Sequence, residues 1–454
     1  MPLSRLFPAI QSAAPAQARR RGRRWLGLAL CAVVGLGIVW GLATLMADRT
    51  PIVVGLLHSQ TGPFAGIERA TLEAEVLAIE EINRQGGLLG RPVRYVTSDG
   101  ATDAAAFARE AERLIRVERV CVLFGGSTTE NRKEIVPVVE AANHLLVYPH
   151  PYEGLEQSSN VVYTGPLPNQ QMATAVHWCI AKRSAKTFFL VGDRTDAARC
   201  ASALAADQLV GLGAEQIGNV YLAAADDVAM AVREIAERKP DVILSTLTGA
   251  PWISLLRALR AASIGLPQTT VIHWSIYPET LDTLPLDSMH DTFVVTTSIE
   301  QGDTDLKAAG NGAVSSVSTG NLLPPEIGSP RSKCNCPSIA LWAQAVREAG
   351  LVDAGRVRLA MMRQGLTSRD GIVTIDPVTQ HTWLTASIAR VTASGGLEPE
   401  WTLKQALRPV PFPIGRSREA WEQLVADTVR SQQGSATPAL TPPEQIPEAG
   451  SRQP

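Results

Sequence analysis

The chain has 454 residues, 45% apolar and 19% charged, which allows two or three globular domains with substantial cores. Its 42 lysines and arginines are balanced by 44 aspartates and glutamates, so no general basic field exists to gather phosphate backbones. Nucleic acid is therefore not expected as a partner, which leaves small molecules and proteins.

The positive charge is unevenly placed. Arg5, Arg19, Arg20, Arg21, Arg23 and Arg24 precede Trp25 with no acidic residue among them, and an uninterrupted apolar run follows over residues 25–46. At helical rise that run is about 30 Å long, enough to cross a bilayer core, and the arginines favour a cytoplasmic N-terminus. The expectation is a basic cytoplasmic segment at 1–24, a transmembrane signal anchor at 25–46, and everything beyond Asp48 in the periplasm or outside the cell. Gly41 and Ala43 are small residues at a spacing that signal peptidase accepts, so release into the periplasm by cleavage is the alternative.

Past the anchor, short apolar runs alternate with longer amphipathic ones. Strands are expected at 51–58, 92–98, 120–124 and 145–148, with helices over 71–85, 104–117 and 133–143; in the first helix Ala74, Val76, Leu77, Ile79 and Ile82 are expected to face the core. Gly86 and Gly87 end that helix. Such βα winding predicts a parallel sheet covered by helices on both faces. The pattern pauses at residues 165–170 and then resumes, with strands at 187–191, 219–222, 242–245, 270–273 and 292–297. Residues 298–335 lose periodicity and are rich in Gly, Ser and Pro; helices return at 338–349 and 354–364. The C-terminal stretch 431–454, rich in Pro, Glu, Ser and Gln, is expected to be disordered.

The six cysteines do not make a disulfide framework in a chain this long, and Cys334 and Cys336 alone lack a full metal ligand set. No G-x-S-x-G, H-E-x-x-H, Walker loop or G-x-G-x-x-G at a strand-to-helix turn is present. Neither an enzyme, a cofactor nor a metal is expected; a binding site built from strand-end loops and helix N-termini needs none of these motifs.

Four stretches carry a resemblance. They are Ser59-Gln60-Thr61-Gly62-Pro63-Phe64-Ala65-Gly66-Ile67-Glu68-Arg69 after the first strand, Gly125-Gly126-Ser127-Thr128-Thr129-Glu130-Asn131-Arg132-Lys133, Tyr148-Pro149-His150-Pro151-Tyr152-Glu153-Gly154-Leu155-Glu156, and Tyr163-Thr164-Gly165-Pro166-Leu167-Pro168-Asn169-Gln170-Gln171. With Ile375-Asp376-Pro377 and Gln380-His381-Thr382-Trp383, this order resembles the type I periplasmic-binding-protein family. Within it, the chain is similar to the branch holding the urea-binding proteins of ABC transporters and an amide-sensing regulator.

The resemblance implies two doubly wound, Rossmann-like α/β lobes joined by three crossovers, closing around a ligand. It divides the chain into a first part of the N-lobe at 51–165, the C-lobe at 166–297, a return to the N-lobe at 298–370 with a flexible excursion at 303–337, and a final C-lobe segment at 371–430. It places Thr129, Tyr148 and His150 on the ligand's amide, with Ser59, Thr61, Thr128 and Pro151 beside them. In the second lobe Thr195 stands where the family has an aromatic lid, and Glu279 lies in a run that departs from the family's acidic pattern. The implied ligand is urea, a short amide or a related small polar molecule, and the implied partner is an ABC permease. A membrane-bound regulatory partner, with the chain as an anchored sensor, and a scaffold with a degenerate cleft remain the alternatives.

Thr129 is a candidate cap for the helix that follows it, and the run at 163–165 reads as hinge.

Overall fold

The computed structural model describes residues 50–62, 64–101, 103–222, 225–247, 249–274, 289–297, 336–368, 371–393 and 396–433. The expected anchor at 25–46, the cytoplasmic segment before it, Glu279, most of the 303–337 excursion and the tail beyond Gln433 lie outside these residues. Among the described residues no helix is long and apolar enough to cross a membrane.

The first lobe is wound from β1 (Ile52–His58), α1 (Ala65–Arg84), β2 (Val93–Asp99), α2 (Ala104–Arg116), β3 (Leu123–Gly125), α3 (Thr129–Ala141), β4 (Leu146–Tyr148) and β5 (Val161–Tyr163). Its five strands are all parallel, in the order β2-β1-β3-β4-β5. Alternation along β1 sends Ile52, Val54 and Leu56 to one face and Leu57 to the other, as a pleated strand requires. The first face packs on α1 and on two helices from much later in the chain, α8 (Pro337–Ala349) and α9 (Ala354–Met361), through Ile79, Ile82, Trp342 and Met361. The second packs on α2 and α3 through Phe107, Leu114, Ile135 and Val139.

The second lobe runs through α4 (Met172–Arg183), β6 (Thr187–Asp193), α5 (Asp196–Gly211), β7 (Glu215–Leu222), α6 (Ala225–Arg238), β8 (Val242–Ser245), α7 (Gly249–Ala261), β9 (Thr270–His273) and β10 (Phe293–Thr296). After α9, the short antiparallel set β11 (Gly365–Ser368), β12 (Gly371–Ile375) and β13 (Thr382–Trp383) leads to β14 (Ser387–Val391) and β15 (Leu397–Thr402). These last two extend the second sheet, ordered β15-β14-β10-β9-β8-β6-β7, by antiparallel pairing. The closing helix α10 (Arg418–Gln433) buries Trp421 in the same lobe.

Several expectations are corrected. The second sheet is mixed rather than parallel, because β14 and β15 return as a hairpin that needs no crossover helix. Helix α1 begins at Ala65, so Glu68 belongs to its first turn and not to a loop. Leu77 is 47% exposed, whereas Glu75 is fully buried. The inner face of α1 is set by Glu68, Glu75, Ile79 and Ile82, which recur at helical spacing, and Leu77 points away from them. Part of the supposed hinge at 163–165 is strand β5. Residues 431–433, expected in the disordered tail, are helical, and Pro337, expected in the flexible excursion, opens α8.

Phe124 and Trp342 meet edge to face at 5.7 Å in the core beneath β3, joining segments more than half the lobe apart in sequence. Trp342→Ala is expected to destabilise the chain by about 3–5 kcal/mol. Urea denaturation measures this, and a loss below about 1 kcal/mol would show that α8 is not held by this contact.

Candidate functional site

The carboxyl ends of three neighbouring strands, β1, β3 and β4, deliver His58-Ser59, Gly126-Ser127-Thr128 and Pro149-His150-Pro151 to one place. In open α/β sheets this end is where ligands bind. The turn after β3 is close-packed: Gly125 and Gly126 have φ of 111° and 107°, and a Cβ on Gly125 would overlap the Leu57 carbonyl and come 3.0 Å from His58 Nε2. Only glycine fits there.

His58 is wholly buried and lies between two glutamates of α1, with Nδ1 2.9 Å from Glu68 Oε2 and Nε2 2.8 Å from Glu75 Oε2. Burial alone would lower its pKa, but Glu75 and Glu68 outweigh that and push it up to about 10. Glu68 also faces His150, whose Nδ1 is 3.6 Å from Oε1. Burial favours the protonated form of Glu68, yet His150 and His58 hold its pKa below the ordinary carboxylate value. His150, 2% exposed, is pushed down to about 4 by burial and is therefore neutral near pH 7.

A second cluster lies beside this one. The Arg132 guanidinium is completely buried in α3, with Nε 2.9 Å from Glu156 Oε1 and Nη2 3.4 Å from Glu153 Oε1. It sits over the rings of Tyr148 and Tyr152, at 4.9 and 4.2 Å from their centroids. Thr129 donates to Glu153 Oε2 at 2.5 Å, and Tyr163 donates to Glu156 Oε1 at 2.8 Å. Four acidic side chains in the two clusters thus face one guanidinium and one imidazolium.

The predicted residues are distributed as follows. Ser59 is buried, its hydroxyl 3.2 Å from that of Ser127. Thr61 is exposed and its hydroxyl donates to Asp99 at 2.6 Å. Thr128, and not Thr129, caps α3, accepting from the Asn131 N–H at 3.4 Å; Thr129 already has helical geometry and turns to Glu153. Tyr148 is buried and donates to the Ser127 carbonyl at 2.9 Å, so its hydroxyl holds the β3 turn. Pro151 is half-buried at the rim. Ser59, Thr128, Thr129, Tyr148 and His150 thus come together around the ends of β1, β3 and β4. Thr195 lies in the other lobe, where it caps α5 by accepting from the Ala198 N–H at 3.2 Å and donates to Asp193. Glu279 is outside the described residues.

Residues that motif reading missed are His58, Glu68, Glu75, Ser127 and Arg132, together with Thr246 and Trp274 in the second lobe. The Thr246 hydroxyl and the Trp274 indole N–H are buried at the ends of β8 and β9 and have no hydrogen-bond partner among the described residues. Glu68 and Glu75, two helical turns apart on the face that carries Ile79 and Ile82, were a readable signal: carboxylates on a core face require a partner.

The imidazoles set the pH dependence of stability. His150, His273 and His381 are each pushed down to about 4 by burial, from 6.5. Between those values the unfolded chain binds protons that the folded chain refuses, so stability falls as pH drops from 6.5 to 4. His58 does the reverse: its stabilisation is full below 6.5 and is lost as pH rises toward 10. Thermal unfolding followed by circular dichroism is expected to give a Tm maximum near neutrality, with the alkaline limb reduced in His58→Gln. A Tm that climbs steadily up to pH 10 would contradict the His58 assignment.

Comparison with known proteins agrees with this architecture. A Rhodopseudomonas palustris ABC-transporter solute-binding protein crystallised with 4-hydroxybenzoate superposes with a TM-score of 0.64 at 18% identity, over 78% of this chain and 97% of that one. A leucine-binding protein, LivK, from Thermotoga maritima gives 0.62 at 16% identity, over 78% and 98%. These likenesses concern the fold. The Leu/Ile/Val-binding protein homolog 7 of Brucella suis is 35% identical over 92 residues, 19% of this chain and 23% of that protein, so the chain matches about a quarter of the length of such curated relatives. The profile of the periplasmic binding protein domain family matches residues 52–418, and the chain belongs to that family.

Proposed function

We propose that the chain captures a small, uncharged, N–H-bearing solute, of the urea or short-amide class, between its lobes and passes it to an ABC-type permease. The supporting observation is the chemistry gathered at the ends of β1, β3 and β4. Glu68 belongs with Glu75, Glu153 and the partly exposed Glu156 to an acid-rich cluster whose buried cations are His58 and Arg132 among the described residues. A carboxylate ligand would have to be desolvated against that charge, whereas N–H groups are attracted by it.

The solute-binding relatives include proteins crystallised with benzoates and with isoleucine. Each of those ligands carries a carboxylate, so an amide preference would separate this chain from them. The hydroxyls of Ser59 and Ser127 and the neutral imidazole of His150 can both donate and accept, which suits a ligand presenting N–H groups beside a carbonyl. From the second lobe, the unpartnered Thr246 hydroxyl and Trp274 indole N–H supply donors for the carbonyl side. Trp274 also offers an aromatic surface where Thr195 does not. The apolar run at 25–46 favours presentation at the membrane, next to the permease.

Calorimetric titration of the full chain in detergent against urea, acetamide, butyramide, leucine and benzoate tests this. Saturable heat is expected with urea or an amide, and Ser127→Ala should weaken it 3- to 10-fold, the loss of about one hydrogen bond. Saturation by leucine or benzoate while every amide is silent would overturn the proposal.

A further inference from the structure

We propose that His58, Glu68 and His150 form a binding site for one divalent transition-metal ion of the zinc class, with Glu75 as its outer-shell support. This goes beyond solute capture, and it draws on Glu68 and His150, which the proposed solute site also uses.

The geometry is the first argument. One ring nitrogen from each histidine and one carboxylate oxygen of Glu68 all lie within 4.8 Å of one another, and all three residues are buried. Zinc binds such donors at about 2.0–2.2 Å, which puts tetrahedral ligand atoms roughly 3.3 Å apart. His58 Nδ1 lies 2.9 Å from Glu68 Oε2 and His150 Nδ1 3.6 Å from Oε1 of the same carboxylate, so a turn of that carboxylate is needed to bring all three donors onto one ion.

The surroundings are the second argument. A metal-binding imidazole is ordinarily oriented by a carboxylate on its other nitrogen. His58 has that partner: its Nε2 is 2.8 Å from Glu75 Oε2, deep in the helix face. The other oxygen of Glu75, Oε1, is buried with no hydrogen-bond partner among the described residues. Such an orphan carries a desolvation cost that a nearby cation would reduce. A metal-free ion-pair network explains His58 between two glutamates. It does not explain why a second imidazole is brought to the remaining oxygen of Glu68, nor why Glu75 is left half-satisfied.

Donor type sets the metal class. Two imidazoles and one carboxylate favour zinc, cobalt or nickel over magnesium and calcium, which prefer all-oxygen shells. Coordination at His58 Nδ1 releases the proton shared with Glu68 to solvent, so one metal ion enters as one proton leaves. Three protein ligands would leave a fourth position for water.

The test is equilibrium dialysis of the chelator-stripped full chain against zinc chloride, with metal content and Tm read together. One zinc per chain and a raised Tm are expected, with no such rise from magnesium. His150→Ala should lower zinc affinity at least tenfold, and Glu75→Gln 10- to 100-fold, while His177→Ala, an exposed histidine outside the cluster, should leave it unchanged. Circular dichroism establishes that each variant is folded. Should His150→Ala fail to fold, cobalt loading of the unaltered chain provides the second readout, a visible absorption band of four-coordinate N/O cobalt. Absence of zinc uptake by the folded chain, equal uptake by wild type and His150→Ala, or a six-coordinate cobalt spectrum would each overturn the proposal.

Discussion

A guanidinium with no access to water organises the first lobe. Arg132 is tolerated in that position only because Glu153 and Glu156 approach it and two tyrosine rings cover its faces. Removing one partner from such a group is costly, about 3–5 kcal/mol, since the rest of the network is left charged and dry. The constraint therefore extends outward. Both glutamates belong to the segment that leaves β4, so Arg132 holds the backbone that carries His150 and Pro151, and Thr129 donates to Glu153.

From Arg132 the same network reaches the connections between the lobes. Tyr163 donates to Glu156 and stacks on His381 at 4.2 Å with the rings nearly parallel, and Tyr152 hydrogen-bonds His381. The strand containing Tyr163 and the segment containing His381 are the two crossings described, and they lie side by side: the Tyr163 N–H donates to the Gln380 carbonyl and the Thr382 hydroxyl to that of Thr164. Gly165 completes the arrangement, because a Cβ at that position would overlap the His150 carbonyl. The crossings are thus packed directly beneath the site.

Much of the fold was legible because it rests on local rules. Alternation over Ile52–His58, the glycine stop after α1 and the βα rhythm through Tyr148 all follow from side-chain periodicity. Strand β5 was missed because its three residues are too short to show a period and are defined by pairing with β4. Strands β14 and β15 were missed for a different reason: β14 takes its place in the second sheet by pairing with β10, about a hundred residues earlier in the chain, and β15 joins only through β14. At the site, resemblance led to hydroxyls and aromatics, and so emphasised Thr61 and Tyr148, whose hydroxyls are engaged by Asp99 and by the Ser127 carbonyl. The charged groups were the stronger physical signal. Glu68 and Glu75 occupy a helix face that must be buried, and only a base such as His58 makes that burial tolerable.

The two lobes consequently contribute unequal chemistry. In the first, charges are already paired and immobilised, so little reorganisation remains for binding, and the polar groups are fixed by strand ends and by the glycine turn after β3. In the second, Thr195 is consumed by capping α5, and Thr246 and Trp274 are neutral donors with no partner among the described residues. A buried donor without an acceptor costs roughly 1–3 kcal/mol, which an arriving carbonyl would recover. On the proposed reading, selectivity would reside in the first lobe, through the sign of its charge, and the second lobe would supply a reason to close, since a ligand held between the lobes could satisfy the Thr246 and Trp274 donors.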